Sequence, residues 1–167
     1  PTILNAAYNF RFAWSGRFRD IGEQLDVAMF SPAALGGTWE KAAQTLSKDA
    51  AVAQSFREAF PEGLTAATLR EAMSVYALSL STPNSRFDRY LRRELRLEPD
   101  ELAGYELFRS YGCVSCHQGI NVGGNMVQRF GVMRDYFAGR TDLTDADQGL
   151  YLATQREEDR HVFRVPS

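Results

Sequence analysis

Five consecutive residues, Cys113-Val114-Ser115-Cys116-His117, constrain this chain more than any other feature of its sequence. Two thiols at this spacing lie about one helical turn apart, so both can add to the vinyl groups along one haem edge. The adjoining imidazole then lies under the iron. Cys-x-x-Cys-His is the attachment signature of c-type haem. A thioredoxin-like pair should instead follow a strand in a βαβ pattern, whereas this one follows a predicted helix and leads into glycine-rich loops. A structural zinc site needs four ligands, usually as two spaced pairs. The chain has only two cysteines and two histidines, and His161 is remote in sequence from the other three. A disulfide framework would use more cysteines at wider spacing. The last alternative is a chance pair of inert thiols. The motif therefore assigns Cys113 and Cys116 to covalent haem attachment and His117 to one axial position of the iron, with electron transfer or redox chemistry as the business of the chain.

The other axial position has three in-chain candidates, Met126, Met133 and His161, because histidine or methionine closes a haem site for electron transfer. Each has a plainer reading that outweighs it. Met126 and Met133 lie in an apolar loop where methionine commonly fills gaps. His161 follows Arg156-Glu157-Glu158-Asp159-Arg160, which reads as a solvated charged face.

The remaining sequence predicts a mainly α fold with long irregular loops. Pro1 to Trp14 reads as an extended segment, with Asn5 and Asn9 favouring turns. Helical spacing appears over Asp20–Met29, then after the N-cap candidate Thr38, where Trp39, Ala42, Ala43 and Leu46 form one stripe. A short helix is expected near Ala51–Phe60. A longer one follows Thr65, with Leu69, Met73, Tyr76 and Leu80 on its apolar side and Pro83 ending it. Asn84 to Asp88 reads as a polar connection. The next helix, Asp100–Tyr111, carries Leu102, Tyr105 and Phe108 on one side and stops at Gly112. Gly119 to Gly139 reads as irregular, and the tail has turns before Val162-Phe163-Arg164-Val165-Pro166. Acids and bases are mixed throughout, with a formal net charge of −2, which argues against a nucleic-acid-binding face. No apolar run is long enough to span a bilayer.

Several stretches together resemble the bacterial di-haem cytochrome c peroxidase family, which includes the MauG-type enzymes. They are Pro1-Thr2-Ile3-Leu4-Asn5-Ala6-Ala7-Tyr8-Asn9, Trp14-Ser15-Gly16-Arg17, Pro83-Asn84-Ser85-Arg86-Phe87-Asp88-Arg89-Tyr90-Leu91, Gly104 to Phe108 leading into the haem motif, Gly123-Gly124, and Phe163-Arg164-Val165-Pro166-Ser167. The resemblance implies two cytochrome c-like helical domains, each with its own haem. Residues 1–90 would be a portion of the peroxidatic domain, without its haem motif, and residues 91–167 the electron-transferring haem domain. The chain would thus be a portion of a larger protein with a second haem c outside it. The end of the chain resembles its opening, as matching points of two repeats would.

The same resemblance implies the activity: hydrogen peroxide reduced with electrons from a small cytochrome c or cupredoxin, in the periplasm, by a protein that can form a homodimer. Trp14 would lie on the electron path between the haems, although a large ring at a domain boundary also serves as ordinary packing. A calcium ion would draw on the backbone carbonyls of Arg164 and Pro166 and on an asparagine before Pro1; carbonyl ligation suits calcium. One departure stands out. Family peroxidases carry an acid/base glutamate beside the peroxidatic haem, and Ala34 occupies that position in Ser31-Pro32-Ala33-Ala34-Leu35-Gly36. Glu40 is the nearest substitute, but in the first turn of a helix it is more simply a favourable N-terminal charge. Two other functions therefore stay open, a MauG-like oxidase acting on a protein substrate and a non-enzymatic haem c electron carrier.

Overall fold

The helices of this chain begin where a short polar side chain can accept from an unpaired backbone N–H. In the computed structural model, which describes residues Thr2–Ser167, Asp20 caps α1 (Ile21–Phe30), Thr38 caps α2 (Trp39–Leu46), Asp49 caps α3 (Ala50–Ala59) and Thr65 caps α4 (Ala66–Ser79). At α4 the cap is reciprocal: Thr65 Oγ1 accepts from Thr68 N while Thr65 N donates to Thr68 Oγ1. Ser85 and Asp88 form the same kind of box at the start of α5 (Arg86–Leu91). Asn84 to Asp88 therefore enters a helix rather than remaining a loop. Glu98 and Pro99 open α6 (Pro99–Ser110), and α7 is a single turn, Tyr151–Thr154. The strand content among the described residues is one antiparallel pair, β1 (Val127–Arg129) with β2 (Val162–Arg164), in the register Val127 opposite Arg164. The fold is mainly helical, as the sequence predicts.

Helices α1 and α2 pack on α4. One small core joins Ala6, Phe12, Ile21 and Ala77, with Phe18 against them. A second joins Met29, Trp39, Ala43 and Leu69, flanked by Leu25, Phe56 and Leu64. Between them, Asp26 on α1 ties all three helices, accepting from Trp39 Nε1 at 2.8 Å and from Arg70 Nε and Nη2 at 2.7 and 2.9 Å. Only part of the predicted α4 stripe faces this core. Leu69 is buried, but Met73 and Tyr76 point outward, because the helix meets its neighbours through Leu69 and Ala77.

The second half is organised differently. No residue of α6 is buried. Phe87 and Tyr90 on α5 instead both meet Tyr105 on α6 edge to face, beside the Arg86–Glu101 ion pair. A further aromatic group, Phe130, Phe137, His161 and Phe163, lies across the sheet. The segment 5–14 joins the two halves. Asn5 N donates to Leu80 O at 2.7 Å, while its own carbonyl accepts from Asn121 Nδ2 at 2.9 Å. Phe10 N donates to Gly124 O, and Arg164 N to Trp14 O at 2.9 Å. No helix among the described residues is long and apolar enough to cross a membrane.

Candidate haem-binding site

Helix α6 delivers the chain to the motif and Gly112 releases it. That residue sits at φ +77°, a left-handed conformation that glycine adopts without Cβ strain and that commonly ends helices. Cys113–Ser115 then form a tight helical turn, in which the N–H groups of Cys116 and His117 both donate to Cys113 O, at 3.2 and 2.9 Å. Cys113 is exposed and Cys116 half-buried. Phe108, on the last turn of α6, stands edge-on to the His117 ring with centroids 6.4 Å apart.

The His117 ring is oriented by the loop that follows it. Its Nδ1 lies 3.2 Å from the carbonyl of Val122. A carbonyl can only accept, so the contact calls for the proton on Nδ1 and leaves Nε2 as the nitrogen that can face an iron. Iron-ligating histidines are held in this way, with the distal ring N–H donated to a backbone carbonyl. The loop is coiled tightly enough to present that carbonyl, with Gly119, Val122, Gly123 and Gly124 all at positive φ and Gly123 N donating to Gln118 O at 2.9 Å.

The surroundings fit a flat apolar group. Leu102, Leu107 and Tyr111 on and after α6, Val114 inside the motif, and Ile120 and Val122 beyond it are all exposed large apolar side chains. Exposed apolar side chains thus stand before, within and after the motif, where a flat apolar group could cover them. No three His, Cys, Asp or Glu side chains converge as a metal-ion cluster among the described residues, so the zinc reading of the motif finds no ligand set.

The other site candidates are spread along the joint between the halves. Trp14 is 52 % exposed, and its carbonyl meets the backbone of β2. In the 126/165 ladder Val165 N donates to Met126 O and Gly124 N to Val165 O. Arg164 alternates with these pairs, so its backbone groups face the Trp14 segment instead of β1. The Pro166 carbonyl lies against Gly123, where a side chain would collide with it.

With this geometry in place, the comparisons are decisive. The family model described as di-haem cytochrome c peroxidase matches residues 1–96. The cytochrome c551 peroxidase of Nitrosomonas europaea is 34% identical over 174 residues, covering 100% of this chain and 49% of that protein.

The chain belongs to the di-haem cytochrome c peroxidase family.

The cytochrome c551 peroxidase of Pseudomonas aeruginosa is 32% identical, across 99% of this chain and 48% of its own length. The chain thus spans about half the length of these two relatives. Among solved structures, a MauG-like protein associated with microbial copper homeostasis superposes with a TM-score of 0.79 over 100% of this chain and 53% of that one, at 22% identity. That likeness shows a shared fold. Haem is the cofactor of the di-haem peroxidase family, and the turn at 113–117 suits it.

Ala34, expected from the resemblance to stand at the family's glutamate position, lies in an exposed turn. Ala34 N donates to Ser31 O at 2.9 Å and Gly37 N to Met29 O at 2.9 Å, so the turn is closed without a side-chain acid. Glu40 is exposed in the first turn of α2. Met133 is 97 % exposed at a loop tip, while the Met126 backbone belongs to the ladder with Val165.

His161 corrects the sequence reading. It is buried, not part of a solvated face. Its ring stacks on Phe137 at 3.9 Å and 11°, and its Nδ1 lies 2.7 Å from Asp147 O. The charges before it turn outward and pair among themselves, Arg156 with Glu158 and Arg160 with Glu157. Two contributors left no sequence signal. They are the Val122 carbonyl, which meets His117 Nδ1, and the Arg164 side chain, which is buried.

Proposed function

We propose that this chain is a portion of a di-haem cytochrome c peroxidase, with haem c held through Cys113 and Cys116 and its iron ligated by His117 Nε2. The observation that carries this reading is the His117–Val122 contact, which fixes the imidazole in the tautomer a haem ligand needs. Haem held there supplies one-electron chemistry. The protein's own work is to fix the ring, to wall one edge with the apolar side chains of α6, and to keep the Cys113–His117 turn rigid through Cys113 O.

In the whole protein, residues 91–167 form the electron-transferring domain and residues 1–90 contribute to the peroxidatic one. The confinement of both hydrophobic cores to the first part of the chain supports that division. Trp14 stands on the electron path between the domains. Arg164 and Pro166 offer carbonyls to a calcium ion. The substrate is hydrogen peroxide, the donor a small cytochrome c or cupredoxin, and the compartment the periplasm. The test is steady-state peroxide reduction by the full-length protein with a reduced donor: sustained turnover supports the reading, and none contradicts it.

Ala34 favours one second reading, a MauG-like oxidase acting on a protein substrate. It predicts donor-independent oxidation of a protein partner by the peroxide-treated full-length protein, with weak steady-state peroxide reduction.

A further inference from the structure

Among the described residues Arg164 is the most buried charged one, 3 % exposed at the end of β2. Its backbone N–H donates to Trp14 O, and its Nε reaches Ala13 O at 3.3 Å. Its Nη1 is buried and has no hydrogen-bond partner among the described residues. Leaving a cation buried and unpaired is costly, whereas Arg70, Arg86 and Arg140 each face a carboxylate. A charge retained in this way needs a function.

Its place in the fold indicates one. A side chain at Gly124 would collide with Asn9 Oδ1 and come within 3.3 Å of Arg164 Nη1. Gly124 is two residues from Val122, whose carbonyl accepts from His117 Nδ1. The unpaired charge therefore sits against Gly124, at the end of the loop that orients the imidazole, where burial leaves it weakly screened.

We propose that Arg164 is a positioning residue that raises the reduction potential of the haem ligated by His117. It acts by placing a fixed, uncompensated positive charge against the end of the Val122–Gly124 loop. Reduction adds one electron and no bond changes, so a nearby buried cation favours the reduced form. The same charge draws electron density from the Val122 carbonyl and weakens its hold on Nδ1–H, which acts in the same direction. The inference rests on the haem assignment above and extends it.

The experiment is spectroelectrochemical titration of the full-length holoprotein, with calcium and with chelator, for wild type, Arg164→Gln, Arg164→Lys and Asn9→Asp. Covalent haem is first confirmed in each by its pyridine haemochrome. Arg164→Gln should shift the oxidised-to-reduced ratio at fixed ambient potential about tenfold toward the oxidised form, a fall of about 59 mV for a one-electron couple. Asn9→Asp, which sets a carboxylate beside the unpaired charge, should lower the midpoint in the same direction, and it decides the matter alone if Arg164→Gln does not fold. Arg164→Lys should stay near wild type, and the pattern should survive calcium removal. Attached haem with an unmoved midpoint in Asn9→Asp and in any folded Arg164→Gln overturns this inference alone. Wild type without covalent haem overturns the haem assignment and this inference with it.

Discussion

Asp26 and Arg70 meet in a two-pronged ion pair across α1 and α4, and the same carboxylate accepts from the indole N–H of Trp39. The hydrogen bond from Arg70 holds the Asp26 carboxyl below its ordinary range. A carboxylate whose pKa is depressed by folding contributes stability that is complete above the unfolded value, about 3.9, and is lost as pH falls through the folded one. Asp26→Asn should therefore destabilise the protein near neutral pH by about 1–2 kcal/mol, a figure discounted because both partners are partly exposed. The deficit should shrink below about pH 4. Thermal denaturation of both proteins between pH 3 and 7 checks this, and a deficit that does not vary with pH would count against the ion pair.

The capping box at Thr65 gives a second expectation. Thr65→Ala removes the acceptor for Thr68 N but leaves Thr68 Oγ1 bonded to Gly63 O at 2.7 Å. The loss should be about 1 kcal/mol, read as a lowered midpoint in denaturant with an unchanged slope.

Gly123 bears on the proposed calcium ligands. It sits at φ +140°, and a Cβ there would strike the Pro166 carbonyl. Gly123→Ala should cost about 1–3 kcal/mol of local strain. It should weaken calcium uptake by the full-length protein by about tenfold. Isothermal titration of chelator-stripped protein measures it. Unaltered affinity would remove Pro166 from the ligand set.

Ala34 allows a gain-of-function test. General acid–base assistance is typically worth about 10²- to 10⁴-fold in rate. Ala34→Glu in the full-length protein should raise peroxide turnover within that range, with the donor-binding parameters unchanged. No increase would mean that the exposed turn at 31–36 does not face the reacting peroxide.

Local chemistry is what the sequence made legible. Thr38 and Thr65 cap the helices expected of them, Gly112 ends α6, and the two thiols and imidazole fall on one turn, because each depends on neighbours a few residues away. Helix α5 is equally local, yet its Ser85–Asp88 capping box lies inside what reads as a polar stretch. The remaining features are set at long range. β1 finds β2 across more than thirty residues, and neither three-residue strand shows alternation enough to announce itself. The charged run before His161 hid a ring stacked on Phe137. Nothing around Val122 or Arg164 in sequence shows that one presents its carbonyl to His117 and the other buries an unpaired charge against Gly124.

The most direct measurement on the whole account is whether haem stays on the mature, full-length polypeptide after denaturation. Haem-stained denaturing gels and intact mass should show it retained by the wild type. A variant with serine at both Cys113 and Cys116 should have lost the haem of this domain. Alkylation of both thiols in the unfolded wild-type protein, showing them free, would contradict the assignment.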